Sequence, residues 1–154
     1  MTRSLVGMAR VPRTSLPDGY FHVFVRGVCD VPPFPAPSDR TAALGMLMKA
    51  ARRFDVDVEA ACIMTTHYHA VVRAGCADLS LAMQWLHSRY ARAFNKRYGR
   101  FGHVFAERFQ CRTVEEDGVF DRCGYVLGNP VKAGLCGRIE DWAWSYSRYG
   151  LDAT

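Results

Sequence analysis

The run Val56-Asp-Val-Glu-Ala-Ala-Cys-Ile-Met64, then Thr65-Thr66, then His67-Tyr-His-Ala-Val-Val-Arg-Ala74 decides the fold. Its β-branched and apolar residues on either side of a tight turn read as two strands. Strand side chains alternate between faces. Tyr68, Ala70 and Val72 therefore share one face, and His67, His69, Val71 and Arg73 the other. Two imidazoles on one face are half of a divalent-metal site, needing a further oxygen or nitrogen ligand. The same pair also reads as two satisfied surface or core histidines.

Upstream, 20–28 has strand composition, with Phe21, Val23 and Val25 on one face and Tyr20, His22, Phe24 and Arg26 on the other. Four of the seven prolines fall in 29–38 and make a loop. Ser38 is the expected N-cap of a helix to about Phe54, with Ala42, Leu44, Met46, Leu47 and Ala50 inward. Downstream, Asp78 or Ser80 should cap the longest helix, to about Tyr98, on a stripe of Leu79, Met83, Leu86, Tyr90 and Ala93. A strand is expected within 104–114, and a helix over 115–129 halted by Pro130. The aromatic tail Asp141-Trp-Ala-Trp-Ser-Tyr146 should pack on the body. The order β-α-β-β-α-β-α implies an α+β, ferredoxin-like or RRM-like fold: a four-stranded antiparallel sheet with two helices on one face. The last helix is then free to lie over the other face, which carries the histidines.

A chain of 154 residues is expected to be one domain, with a core over about 16–136 and a tail over 137–154. No run is long and apolar enough to span a membrane, and the first residues lack a signal-peptide core, so the expected location is the cytoplasm. Six cysteines without CxxC spacing read as reduced, small apolar residues. The net charge is +5, but its distribution says more. Between His87 and Arg112 lie Arg89, Arg92, Lys96, Arg97, Arg100, Arg108 and Arg112 against the single acid Glu107, interleaved with six Phe or Tyr. Cations mixed with rings suit phosphates and unpaired bases; a solvated helix face explains the same composition.

Tyr125 and Asn129 are four apart and share a helix face. An amide oxygen is an acceptable hard-metal ligand, and a phenol can attack phosphorus. A phenol's ordinary pKa of about 10 makes it a poor nucleophile unless a nearby Mg²⁺ or Mn²⁺ stabilises the phenolate. The alternative is a core aromatic and a helix C-cap.

Six blocks in order resemble the HUH single-strand transposases of the insertion-sequence-200 type, especially the REP-associated tyrosine transposases. They are Leu16-Pro-Asp-Gly-Tyr-Phe-His-Val-Phe-Val-Arg-Gly27, Met64-Thr-Thr-His-Tyr-His-Ala70, Leu79-Ser-Leu-Ala-Met-Gln-Trp-Leu-His-Ser-Arg-Tyr-Ala-Arg-Ala-Phe-Asn95, Gly99-Arg-Phe-Gly-His-Val-Phe-Ala-Glu-Arg-Phe109, Tyr125-Val-Leu-Gly-Asn-Pro-Val-Lys-Ala-Gly-Leu135 and Asp141-Trp-Ala-Trp-Ser-Tyr146. The resemblance covers essentially the whole chain. It implies that His67 and His69 bind Mg²⁺ or Mn²⁺, that Asn129 is the third ligand, and that Tyr125 forms a 5′-phosphotyrosine link. The implied substrate is single-stranded DNA beside hairpins, met at the nucleoid. Assembly within one chain or across a homodimer stays open. Arg26, Arg89, Arg92, Lys96, Arg97, Arg100 and Arg108 are the expected DNA contacts.

Three departures stand out. Thr66 replaces the Asn usual before the first histidine. Gly124 and Gly128 flank the nucleophile where bulkier residues are usual, each costing a helix roughly 1 kcal/mol relative to alanine. Glu107 stands where a small residue is usual, and reads as a partner for a neighbouring Arg. His22 reads chiefly as a structural hydrogen-bonding residue, and His87 and His103 as surface residues. Two rivals remain: an RRM-like module that grips structured RNA or DNA without cutting, for which Tyr20 and Phe24 could stack, and a domesticated binder of repeat hairpins.

Overall fold

The strand β1, Gly19–Arg26, pairs along its whole length with β3, His67–Ala74, and brings Phe24 opposite His69 and Arg26 opposite His67. In this computed structural model, residues 18–28, 31–106 and 108–151 are described. The lead-in up to Pro17, Cys29 and Glu107 lie outside them. Around the β1–β3 pair the chain adds α1 (Pro37–Arg53), β2 (Asp57–Ile63), α2 (Cys76–Tyr98), β4 (Gln110–Val114), α3 (Val119–Leu127), a four-residue α4 (Asn129–Lys132) and β5 (Ser145–Ser147). The sheet runs β4-β1-β3-β2-β5, antiparallel throughout. The α+β architecture and the central β1–β3 pair agree with the sequence reading, as does the turn at Thr65-Thr66.

The two faces carry separate cores. On one, Phe21, Val23 and Val25 of β1 and Tyr68, Ala70 and Val72 of β3 are buried against Leu47 and Ala50 of α1 and Leu79, Met83, Leu86 and Tyr90 of α2. On the other, Ala60, Cys62 and Val71 are buried against Val119, Cys123, Val126 and Leu127 of α3. The apolar stripe of α2 continues in buried Phe94 rather than in exposed Ala93. In α1 Ala43, not Ala42, takes a buried place.

Local chemistry moves several element ends. Helix α1 starts at Pro37, not after Ser38: a proline suits the first helical position, and the Asp39 carboxylate accepts from the Ala36 N–H at 3.1 Å. Helix α2 begins at Cys76, ahead of Asp78 and Ser80, with Gly75 as N-cap and Asp18 Oδ1 accepting from the Cys76 N–H at 3.4 Å. Just past β1, position 27 must be glycine, because a Cβ there would meet Pro33 Cδ at 2.4 Å. The expected 115–129 helix divides into a 3₁₀ turn, Glu116–Gly118, and α3. Pro130 opens a new helical turn rather than stopping the chain, since its missing N–H is no loss in a first turn.

The tail supplies a strand that the four-strand reading omitted. Trp142 Nε1 donates to Ile63 O at 2.9 Å and Trp144 Nε1 to Thr41 Oγ1 at 3.0 Å. Between these anchors and Arg148, β5 pairs with the edge of β2. His87 is also corrected: it is half-buried, with its Nε2 2.7 Å from the Tyr68 hydroxyl and its ring against Phe105. Among the described residues no helix is long and apolar enough to cross a membrane.

Candidate active site on the open sheet face

Alternation puts His22 of β1 and His67 and His69 of β3 on the α3 side of the sheet. The His67 and His69 rings stand 5.1 Å apart, and His69 Nδ1 lies 3.0 Å from His22 Nε2. His67 Nδ1 is 2.9 Å from Thr66 Oγ1. The threonine in the tight turn thus engages the ring of the residue beside it.

All three imidazoles are held neutral. Burial pushes His69 down to about 3, helped by His22 and His67. Burial lowers His22 to about 4, with Arg122 and Arg112 adding to it. His67 is lowered by burial and then by Arg26. A neutral imidazole is the form that ligates metal.

Helix α3 brings its own row to the cluster. Tyr125 is 52% exposed, and its ring lies 6.2 Å from His22 and 6.5 Å from His69. Arg122, one turn earlier, places Nη1 3.3 Å from His22 Nδ1. Lys132 of α4 holds its ammonium 5.6 Å from the Tyr125 ring. The structure therefore joins His67, His69 and Tyr125 within a single chain. Asn129 follows at the start of α4, where its Nδ2 donates to Val126 O at 3.2 Å.

Two neutral, same-face imidazoles beside a half-exposed phenol are part of a divalent-cation donor set, although among the described residues no group of three or more His, Cys, Asp or Glu is placed to hold a metal ion. One adjustment is implied. Arginine has only N–H donors, so Arg122 makes His22 Nδ1 an acceptor and leaves the His22 proton on Nε2. That nitrogen then donates to His69 Nδ1, which puts the His69 proton on its other nitrogen. Ligation by that nitrogen requires the His22–His69 proton to move, with the Arg122 contact giving way. His67 needs no such change through its Nε2.

The basic residues divide between two surfaces. Arg26 and Arg108, both exposed, line an open groove of about 200 Å³ with Phe24, Ala106 and Gln110, next to the histidines. The α2 cations lie on the helix that covers the opposite face. There Arg89 stacks over Trp85 at 4.5 Å, and Arg97 donates to Asp39 at 2.9 Å. Arg92 and Lys96 are exposed. Arg100 is turned onto Asn95 Oδ1 at 3.0 Å. Arg122, Lys132 and the direct His22–His69 contact were missed in the sequence. For Arg122 and Lys132 the signal was the spacing 122, 125, 129 and 132, which alternates three and four residues as one face of a helix does.

Comparison with known proteins agrees with this architecture. The chain belongs to the family described as "Transposase IS200 like", whose profile matches residues 34–127, more than half of the sequence. A REP-associated tyrosine transposase, solved bound to a REP hairpin, superposes with a TM-score of 0.67 at 17% identity, covering 84% of this chain and 77% of that one. A structure from Deinococcus radiodurans described as "a putative transposase" gives 0.49 at 13% identity, over 76% of this chain and 95% of that one, too low to carry an argument. The tRNA(His) guanylyltransferase of Saccharomyces cerevisiae gives 0.55 at 12% identity, over 79% and 62%. No curated protein sequence matches.

Proposed function

We propose that this transposase cuts and rejoins single-stranded DNA beside hairpins, with Tyr125 as nucleophile and with His67, His69 and Asn129 as the residues that hold Mg²⁺ or Mn²⁺. The observation that carries the reading is a half-exposed phenol whose ring lies 6.5 Å from that of His69, on the sheet face left partly open. The Tyr125 oxygen forms a bond to phosphorus, the O3′ of the neighbouring nucleotide leaves, and the phenol proton passes to solvent. A hydroxyl attacking the phosphotyrosine reverses the exchange, so rejoining needs no nucleotide triphosphate. When bound, the metal polarises the scissile phosphate and stabilises the phenolate. Lys132 adds a positive charge on the Tyr125 side. Arg92 and Lys96, exposed on α2, are the helix cations best placed to take phosphates at some distance from the cut. The reading sets the protein to work on chromosomal DNA in the cytoplasm and requires no second subunit.

The test is a covalent trap. Full-length protein is incubated with Mn²⁺ and single-stranded hairpins taken from repeats beside its own gene, and protein joined to a 5′ phosphate is scored. Tyr125→Phe keeps the ring, so it should fold and bind DNA yet form no adduct. Adduct from the Phe variant would move the nucleophile elsewhere. Absence of adduct from the wild type, with binding retained, would favour a non-cleaving binder of repeat hairpins.

A further inference from the structure

Glu59 is 1% exposed and has no part in the chemistry above. It sits at the irregular step in the β2–β3 register, between Val58, which joins the core under α1 and α2, and Ala60, which joins the core under α3. Both side chains that hold it come from the tail. Arg148 Nη1 donates to Glu59 Oε1 at 3.1 Å, and the Tyr149 hydroxyl donates to Oε2 at 2.7 Å. The Arg148 N–H also donates to the Glu59 carbonyl at 2.9 Å. Ser147 Oγ accepts from the Tyr149 N–H at 3.1 Å, so the chain turns tightly as it leaves β5. The Tyr149 ring then meets Phe120, in the first turn of α3, edge-on at 5.8 Å. Cys123, one turn further along α3, is buried; burial first and the Glu59 charge second push its thiol up to about 11.

A buried carboxylate of this kind adds little net stability, because taking it out of water costs about as much as its partners return. Apolar side chains would seal the same space. What the carboxylate adds is direction. Its two oxygens take one charge-assisted bond each from consecutive residues, and so fix the path of the chain after β5. The Tyr149 phenol is pushed up to about 12, first by its bond to Glu59 and then by burial, so it stays a donor. The fixed path crosses the start of α3. Tyr125 follows Phe120 by about 7.5 Å along the helix axis, too near for the first turn to lift without carrying the phenol with it. We propose that Glu59 is a positioning residue: by gripping Arg148 and Tyr149 it straps the tail over the start of α3, and so holds Tyr125 in place beside the histidines. The strap stands on these contacts alone; only its effect on cutting rests on the cleavage reading.

The experiment compares Tyr149→Phe, which removes only the hydroxyl, Tyr149→Ala, which also removes the ring from Phe120, and Glu59→Gln, which removes the charge. Hydrogen-exchange mass spectrometry on the full chain follows 119–127, with β1 and β3 as internal controls. Alkylation by iodoacetamide follows Cys123 on its own peptide. Tyr149→Phe should speed both about tenfold, the opening expected when one hydrogen bond to a charged group is lost, and leave β1 and β3 unchanged. Tyr149→Ala should speed them further. On the Glu59→Gln background Tyr149→Phe should add clearly less than it does in wild type, because the two side chains act as one unit. Adduct formation at saturating hairpin DNA should fall in the same order, with DNA affinity unchanged. Unaltered exchange and alkylation in Tyr149→Ala would overturn the proposal, as would additive effects of Tyr149→Phe and Glu59→Gln. So would opened variants that form adduct as fast as wild type or faster. Were the wild type to form no adduct, the cleavage reading would fall and exchange alone would decide the strap. Normal adduct with α3 unopened in every variant would remove the strap and leave the cleavage reading.

Discussion

The two faces of the sheet are made by alternate residues of the same strands, yet they end differently. Beneath α1 and α2 the two buried phenols find partners inside the chain: the Tyr68 hydroxyl meets His87 Nε2 at 2.7 Å, and the Tyr90 hydroxyl donates to Pro33 O. Burial pushes both phenols up, away from any ionised role. On the α3 face the chain of contacts from Arg122 through His22 to His69 stops short of Tyr125, whose ring is half in solvent. Two helices of 17 and 23 residues seal the first face, while one of nine residues covers part of the second. Polarity is distributed by the two-residue period of the strands; reactivity is distributed by the cover laid over them.

The largest effects should break that comparison cleanly. Phe21 is fully buried on the sealed face, so Phe21→Ala should lower unfolding free energy by about 3–5 kcal/mol, read by denaturant titration. The double variant His67→Ala, His69→Ala should instead keep most of its stability and lose adduct formation by about a hundred- to a thousandfold, the scale of removing an electrostatic stabiliser from a reacting centre. Neither ring is needed to fill either apolar cluster. Full cleavage by the double variant would show that the open face is not the reacting one.

What could be read without coordinates followed from the same alternation. His67–Ala74 is a strand with the expected bounds because its residues keep strict register between two faces. The joining of His67, His69 and Tyr125 was accessible once a helix could be placed over the histidine face. Other features depend on partners remote in sequence. Strand β5 is three residues long and has little strand signal of its own; Trp142 and Trp144, fixed on Ile63 and Thr41, deliver it to β2. The start of α2 is set by Asp18, a residue 58 positions away. The basic run looked like one surface, but Arg97 is drawn to Asp39 of α1 and Arg108 goes to the other face. Composition counts charges and cannot say which are already paired.

A smaller effect should sharpen the view of the α3 face. Arg122 reaches His22 Nδ1 as an obligate donor, and thereby fixes the protons of both His22 and His69. Removing it lets His22 carry its proton on Nδ1 and frees the outward nitrogen of His69, while also deleting a positive charge near the proposed cation site. Both consequences act in one direction. Arg122→Ala should tighten Mn²⁺ binding by about tenfold, in the range of outer partners of metal-ligating histidines. Titration followed by Mn²⁺ electron paramagnetic resonance reads this without any DNA or turnover. Weaker binding in the variant would mean that Arg122 supports the histidines rather than restraining them.

The smallest effect concerns the helix that makes the faces unequal. Gly124 and Gly128 bracket Tyr125, and the space around them differs. A Cβ on Gly128 would come 3.2 Å from Gly124 O, whereas one on Gly124 would meet nothing within 4 Å. Gly124 lies in the interior of α3, where glycine is less favourable than alanine by about 0.8–1.0 kcal/mol because the unfolded chain loses more freedom on folding. Gly124→Ala should therefore stabilise the protein by close to that amount, measured by thermal or denaturant unfolding, with no side chain displaced. Gly128→Ala should gain less, since the helix end must give by a few tenths of an ångström to admit the methyl group. Adduct formation in the stabilised Gly124→Ala protein then separates two accounts of the short helix. If the rate is unchanged, α3 holds Tyr125 in place and the glycine only weakens the helix. If the rate falls although the fold is firmer, movement of α3 over the open face is part of bringing the phenol to the phosphate.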